Sequence, residues 1–247
     1  MTKLSVNLNK IALLRNARDH DQPNILQAAR TAISAGAYGI TVHPRPDQRH
    51  IMYKDVYDLK TLLTDEYPNI EFNIEGNPFT GKFLDIIKEV KPHQATLVPD
   101  TPGQKTSDHG WDLQTEKQRL EPLMRQLLES GTRVSLFMDA NLKGLEIAAK
   151  LGAHRIELYT EPYAKAFADN QNIEQVVRDF AQTAKSAQQL GLGVNAGHDL
   201  NRQNLKYFLQ NVPDVLEVSI GQAIIVDAID MGLYNAVNAY LEILEQI

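Results

Sequence analysis

The 247 residues carry 25 Lys and Arg against 31 Asp and Glu, a formal net charge of −6, and no cysteine. The charge argues against a general nucleic-acid binder, which ordinarily has a basic excess, and the missing thiols exclude disulfides, cysteine-based zinc sites and cysteine nucleophiles. No apolar run approaches a membrane span, and the opening MTKLSVNLNKIALL lacks the pattern of a signal peptide, so the expectation is a cytoplasmic protein that contacts no membrane.

The first strand-like run is Leu4–Asn7. Asn7-Leu8-Asn9-Lys10 closes it without the glycine-rich turn that an open doubly wound sheet usually places there. Asp21-Gln22-Pro23-Asn24 then reads as a helix start, and a helix is expected over Ile25–Ser34. Gly39–Val42 is the second strand. It stops at His43, and His43-Pro44-Arg45-Pro46-Asp47-Gln48-Arg49-His50 follows as a loop stiffened by its prolines. Further strands are expected at Glu71–Ile74, Gln94–Leu97, Arg133–Phe137, Arg155–Leu158, Gly193–Ala196 and Glu217–Ser219. Helices are expected between and after them at Asp55–Leu63, Lys82–Lys88, Lys117–Glu129, Leu142–Lys150, Ile173–Leu190, Arg202–Leu209 and Ala223–Glu245. Four times a helix ends, a glycine follows and a β-rich run begins: SAGAYGITVH, ESGTRVSLFMD, KLGAHRIELYT and QLGLGVNAGH. Glycine takes the left-handed backbone just past a helix end without a Cβ clash. Eight such β-α units in about 250 residues are the expectation for a (β/α)8 TIM barrel, here a single domain over residues 1–247, with the open doubly wound sheet as the alternative.

Active sites of such barrels lie at the C-terminal ends of the strands. Those ends hold Asn7, Asn9 and Lys10; His43 and Arg45; Glu75; Asp139; Glu157; Asn195 and His198; and Gly221 with Gln222. Imidazoles move protons near neutral pH and guanidinium groups hold phosphates bidentately, so His43, Arg45 and His50 suit an anionic substrate undergoing proton transfer. A solvated basic loop is the plainer reading. Glu75 ends an apolar strand, where partial burial would raise its pKa towards that of a useful base; a surface glutamate before the turn Gly76-Asn77-Pro78 is the alternative. Glu157 lies between Ile156 and Leu158 and by alternation faces the barrel interior, as a functional carboxylate or in a structural pair with an arginine. The two loops around Gly197-His198-Asp199 and Gly221-Gln222 occupy the places where this fold commonly binds phosphate. Arg18 reaches a phosphate or is simply solvated. The stretch Val98–Thr115, with Pro99, Pro102, Gly103, Gly110 and the single tryptophan Trp111, reads as a lid or binding loop. No metal constellation stands out.

The stretches VNLNKIALLRNAR, GITVHPRPDQRHI, FNIEG, KPHQATLVPD, RIELYTEPYA, GLGVNAGHDL and EVSIGQAII run in one order over nearly the whole chain. In this they resemble the pyridoxine 5′-phosphate synthase family. The resemblance implies a (β/α)8 barrel, a homo-octamer, and no metal or organic cofactor. It implies a transferase-class condensation of 1-deoxy-D-xylulose 5-phosphate with 3-amino-2-oxopropyl phosphate to pyridoxine 5′-phosphate, phosphate and water. By position it makes His43 and Glu75 proton acceptors, His198 a proton donor and Glu157 the transition-state stabiliser. Arg45, His50 and Thr106 would hold the deoxyxylulose phosphate; Asn7, Asn9, Lys10, Arg18, Asp199, Gly221 and Gln222 would line the rest of the substrate site. The chain departs from the family pattern where Asn9-Lys10 replaces Asp-His, Gln222 replaces histidine and Asp199 replaces glycine. Extra length around Thr64–Glu71 makes Glu71 a competitor for the place of Glu75, which Asn73-Ile74-Glu75 fits better. A different phosphosugar enzyme and a non-catalytic binder of phosphorylated metabolites stay open as alternatives.

Overall fold

Strands and helices alternate along the whole chain in the structure, a computed structural model that describes residues 1–18, 20–101 and 103–247. Pro102 of the long loop lies outside the described residues. In order the elements are β1 (Lys3–Asn7), α1 (Asn9–Asn16), α2 (Ile25–Ser34), β2 (Gly39–Val42), α3 (Tyr53–Glu66), β3 (Glu71–Gly76), α4 (Phe83–Val90), β4 (Gln94–Leu97), α5 (Leu113–Glu129), β5 (Arg133–Met138), α6 (Leu145–Lys150), β6 (Arg155–Tyr159), α7 (Glu161–Ala168), α8 (Ile173–Gln189), β7 (Gly193–Gly197), α9 (Leu205–Asn211), β8 (Val215–Ile220), α10 (Gln222–Met231) and α11 (Leu233–Glu245). The strands pair in sequence order, all parallel, and β8 closes on β1. The fold is therefore the eight-stranded barrel, and the open sheet is excluded.

Two helices go beyond the sequence expectation. α1 starts directly after β1 and buries only Ile11, Ala12 and Arg15, a stripe too short to give a periodic signal. α7 carries Pro162 in its first turn, where a missing N–H costs nothing. The expected single helix over Ala223–Glu245 is broken at Gly232, whose φ of +79° ends α10 before α11 begins.

Each strand divides its side chains between two layers. Leu4, Val6, Ile40, Val42, Phe72 and Ile74 are buried in one continuous apolar core with helix residues such as Leu59, Ile86 and Ile87. Full burial of such side chains contributes about 1.5–3 kcal/mol each. The alternate residues face inwards, and they are polar. The Ser5 and Thr41 hydroxyls lie 2.7 Å apart, Asn73 Nδ2 donates to Thr41 at 3.3 Å, and Thr96 donates to Asn73 Oδ1 at 3.0 Å. Towards the N-terminal ends of the strands, Arg133 pairs with Glu71 and donates to Gln94 Oε1 at 2.9 Å, and Arg155 meets Glu217 at 3.4 Å. Such interiors are usually filled by Val, Ile and Leu. Here the apolar stabilisation comes from the sheet–helix layer, and hydrogen bonds link part of the polar middle, while Ser135 Oγ, Asn195 Nδ2, Glu217 Oε1 and Ser219 Oγ have no partner among the described residues.

The loop after β2 is held from outside the barrel. Arg15 Nη1 and Nη2 donate to the two oxygens of Asp55 at 2.6 and 2.9 Å, and the Met52 amide donates to Asp55 Oδ2 at 2.7 Å at the start of α3. Asn16 Nδ2 donates to the carbonyls of Arg49 and His50 at 3.1 and 2.7 Å. One turn of α1 thus fixes the backbone that carries Arg45 and His50. Arg15→Met leaves a buried carboxylate without its cation and lowers stability by roughly 3 kcal/mol in urea denaturation; adding Asp55→Asn to it restores most of the loss.

Candidate active site

The C-terminal ends of the strands surround a cavity of roughly 1230 Å³, open mouth included. β1 contributes Asn7, and the first turn of α1 contributes Asn9 and Lys10. The β2–α3 loop brings His43, Arg45 and His50, β3 brings Glu75, and β6 brings Glu157. The loop after β4 supplies Thr106, β7 is followed by His198 and Asp199, and β8 by Gly221 and Gln222. Arg18 is exposed and does not line the cavity. α1 turns Arg15 inwards to Asp55, and Arg18 follows in the turn beyond the helix end. Of the two competing glutamates, Glu71 pairs with Arg133 at the start of β3, and Glu75 lines the cavity at its other end.

His43 sits between two carboxylates. Its Nδ1 lies 3.9 Å from Glu75 Oε2, and its Nε2 lies 3.8 Å from Asp100 Oδ2. Asn9 Oδ1 accepts the His43 amide at 2.9 Å and so fixes the loop where it leaves the strand. Burial pushes the His43 imidazole well below its ordinary value, and the positive charge of Arg45 adds to this. Burial also pushes Glu75 up to about 8, reinforced by the negative charge of Asp100 and opposed by Arg45. His43 is therefore a neutral imidazole at neutral pH, able to take a proton, and Glu75 stays mostly protonated until a substrate changes its surroundings.

Glu157 is buried, its Oε2 has no hydrogen-bond partner among the described residues, and no arginine pairs with it there. The structural ion pair considered from the sequence is thus not formed. Burial raises its pKa well above the ordinary carboxylate value, with the Glu75 charge second. The carboxylate fits only because Gly197 faces it: a Cβ there would collide with Glu157 Oε1.

Asp100, which the sequence reading did not single out, is the missed residue of the site. It pairs with Arg45 at 2.5 Å and accepts the Ser107 hydroxyl at 2.9 Å. Its signal was the one that drew attention to Glu75, a carboxylate just past the end of an apolar strand. Arg45, expected as a phosphate ligand, thus already holds a carboxylate, and Arg49 is paired with Asp47 at 2.6 Å. His50 accepts the Ile51 amide on Nδ1 at 2.9 Å; burial and then the Arg45 charge bring its pKa down to about 4, so it acts as a neutral hydrogen-bonding group. Lys10 and Lys105 line the same cavity and add cations. At the start of α10, Gly221 packs so closely on Asn7 that a Cβ would come within 3.1 Å of it, which brings the helix N-terminus, suited to an anion, to the cavity wall. His198 closes the opposite side, with Nδ1 on Asp199 Oδ2 at 2.7 Å and Nε2 on the Thr106 hydroxyl at 2.9 Å. Among the described residues no cluster of three His, Asp or Glu could hold a metal ion, and no helix is long and apolar enough to cross a membrane.

Comparison with known proteins places the chain in a family. Residues 4–246 match the family described as pyridoxal phosphate biosynthesis protein PdxJ. The chain is 53% identical to pyridoxine 5′-phosphate synthase of Albidiferax ferrireducens over 99% of its own length and 98% of the relative's. It is 52% identical to the enzyme of that name from Xylella fastidiosa strain M12 over 100% and 96%. Among solved structures, 3-keto-L-gulonate-6-phosphate decarboxylase from Vibrio cholerae superposes with a TM-score of 0.65 at 11% identity, covering 99% of this chain and 98% of that one, a likeness of fold alone.

The raised pKa of Glu75 has a consequence for stability. Folding favours the protonated carboxyl, so its contribution is complete below about pH 4.5 and is lost as pH rises towards 8. Glu75→Gln, neutral throughout, escapes the loss. Its stability relative to the parent grows between pH 4.5 and 8 and then levels off, by up to roughly 5 kcal/mol in denaturant titrations.

Proposed function

The chain belongs to the PdxJ family of pyridoxal phosphate biosynthesis proteins and makes pyridoxine 5′-phosphate, and from that premise we propose how its barrel mouth does so. The substrates are 1-deoxy-D-xylulose 5-phosphate and 3-amino-2-oxopropyl phosphate. The isomerase and silent-binder alternatives fall away with the family.

Joining an amine to a ketone, expelling phosphate and water and closing an aromatic ring requires several proton transfers. Groups with separated pKa values divide that work. His43, neutral and buried, takes a proton from substrate through a ring nitrogen. Glu75, once ionised, is the second acceptor; Asn7 Nδ2 at 3.4 Å favours that ionised form. Glu157 places a buried carboxyl where positive charge develops on nitrogen, a gain largest in a site that excludes water. His198 returns a proton to a departing oxygen. Arg45, His50 and Thr106 hold the deoxyxylulose phosphate, and the phosphate charge competes with Asp100 for Arg45. The N-terminus of α10 at Gly221 and Gln222, with Asn7, Asn9 and Lys10, takes the aminoketone phosphate; Arg18 lies outside that set in one protomer. The observation that carries this reading is His43 between Glu75 and Asp100 inside the cavity.

The enzyme works in the cytoplasm, as the cysteine-free composition supports. It assembles as a homo-oligomer, an octamer by family resemblance. Support comes from α1 and α10, which pack together and expose Leu13, Leu14, Val226 and Ile229, the last 78% exposed. A second copy of the chain covers that face. Ile229→Asp therefore yields a smaller species in light scattering with an unchanged circular dichroism spectrum; an unchanged mass removes this face from the assembly.

The activity test mixes protein, chelator and both substrates and follows pyridoxine 5′-phosphate by mass and fluorescence. Product forms only when both substrates are present. His43→Ala lowers kcat by about 10²- to 10⁴-fold with a much smaller change in KM, the loss expected for a general base. An equal loss in binding instead would make His43 a substrate ligand.

A further inference from the structure

His198 and Asp199 both have positive φ, 84° and 52°, in consecutive non-glycine residues. Such a pair is sparsely populated and is kept where the surroundings fix it. The Thr160 hydroxyl donates to the carbonyls of Gly197, at 2.8 Å, and of His198. Asn204 Nδ2 donates to the Asp199 carbonyl at 3.2 Å. This backbone turns the Asp199 side chain back onto the preceding ring, where Oδ2 meets His198 Nδ1 at 2.7 Å. Tyr159 lies against the other side of the imidazole, edge to face, with ring centroids 5.3 Å apart.

We propose that Asp199 is the positioning residue of the proton donor: its carboxylate holds the Nδ1–H of His198, keeps Nε2 towards the cavity and stabilises the imidazolium that gives up its Nε2 proton. The inference rests on His198 being the donor, as proposed above. In the neutral ring the single proton stays on Nδ1 against Asp199, and Nε2 accepts the Thr106 hydroxyl. In the imidazolium Nε2–H faces the substrate. When that bond breaks, the proton goes to the departing oxygen, the electron pair stays on Nε2, and the Nδ1–H bond to Asp199 is retained. The same hydrogen bond holds the Asp199 carboxyl below its ordinary value, against its partial burial. The other charged and titratable groups around the ring are Tyr159 and Glu157 on β6, Lys10 on α1, and Lys105 beside Thr106. All of them stay in place in an Asp199 variant.

The test compares Asp199→Asn and Asp199→Gly with the parent enzyme. Glycine takes φ +52° freely, so the glycine variant keeps the backbone. The pH profile of kcat is measured for each, with His198→Gln as the control. Without the carboxylate the imidazolium is less favoured, and the alkaline limb of kcat moves to lower pH in both variants. Asp199→Glu recovers part of the shift. A purely structural role would lower the melting temperature and leave both limbs in place. An unmoved alkaline limb of kcat in a folded Asp199→Asn overturns the inference. Full activity in His198→Gln overturns the donor reading beneath it instead, so the two failures are distinguishable.

Discussion

Two carboxyl groups, Glu75 and Glu157, are buried in one barrel mouth with no cation paired to either among the described residues, and the rest of the site answers to that constraint. Burial raises both pKa values, and the Glu75 charge raises that of Glu157 further, so at neutral pH at least one keeps its proton. A protonated carboxyl next to a neutral imidazole is a reservoir that either accepts or donates once a charged substrate arrives. An arginine paired with Glu157 would have stabilised the empty enzyme and removed that capacity. The cations are placed instead one shell further out, on Asp100 and Asp47, where they lower His43 and His50 and leave Glu157 unneutralised.

The polar barrel interior belongs to the same design. A catalytic carboxylate at the top of a strand filled with branched aliphatic side chains would face an apolar layer beneath it. Here Asn73 and Thr96 lie below Glu75, and Asn195 is the cross-strand partner of Glu157 in the ladder. Arg133 with Glu71 and Arg155 with Glu217 gather the interior's charge near the opposite end. This arrangement forgoes apolar burial along the axis, and the outward strand faces and the helices supply it instead. The loop with Arg45 and His50 is likewise anchored on the outer layer, through Asn16 and the Arg15–Asp55 pair.

The strands were legible because seven of the eight β-rich runs follow glycine or turn signals, and their outward residues alternate with polar ones. The direction of Glu157 followed from Ile156 and Leu158 alone. Helices α1 and α7 were not legible: one presents too short a buried stripe, and the other begins with a proline that reads equally well as a break. The break at Gly232 was hidden because both flanking segments are good helix formers and only a backbone angle separates them. Most cavity-lining residues could be found from strand ends. Arg18 could not be placed, since a shift of three residues along α1 decides which arginine turns inwards. Asp100 was overlooked because its partner, Arg45, is 55 residues away in sequence and a buried ion pair has no local pattern.

The departures from the family pattern become less costly once their contacts are visible. Asn9 keeps the function that its position demands: its Oδ1 accepts the His43 amide at 2.9 Å, a bond that needs an oxygen acceptor and no charge. Its own amide is held by Asn7 Oδ1 at 2.9 Å, so the two asparagines lock the end of β1 to the end of β2. An asparagine there, where the family resemblance would place an aspartate, adds no negative charge to the cavity. Lys10 next to it adds a positive one, and Asp199, which brings a negative charge back, spends it on His198. Gln222 retains a donor at the start of α10, where backbone amides carry most of the interaction with an anion. The charges of Lys10 and Asp199 are thus set around the cavity and His198, and His43, Glu75 and Glu157 keep their places at its wall.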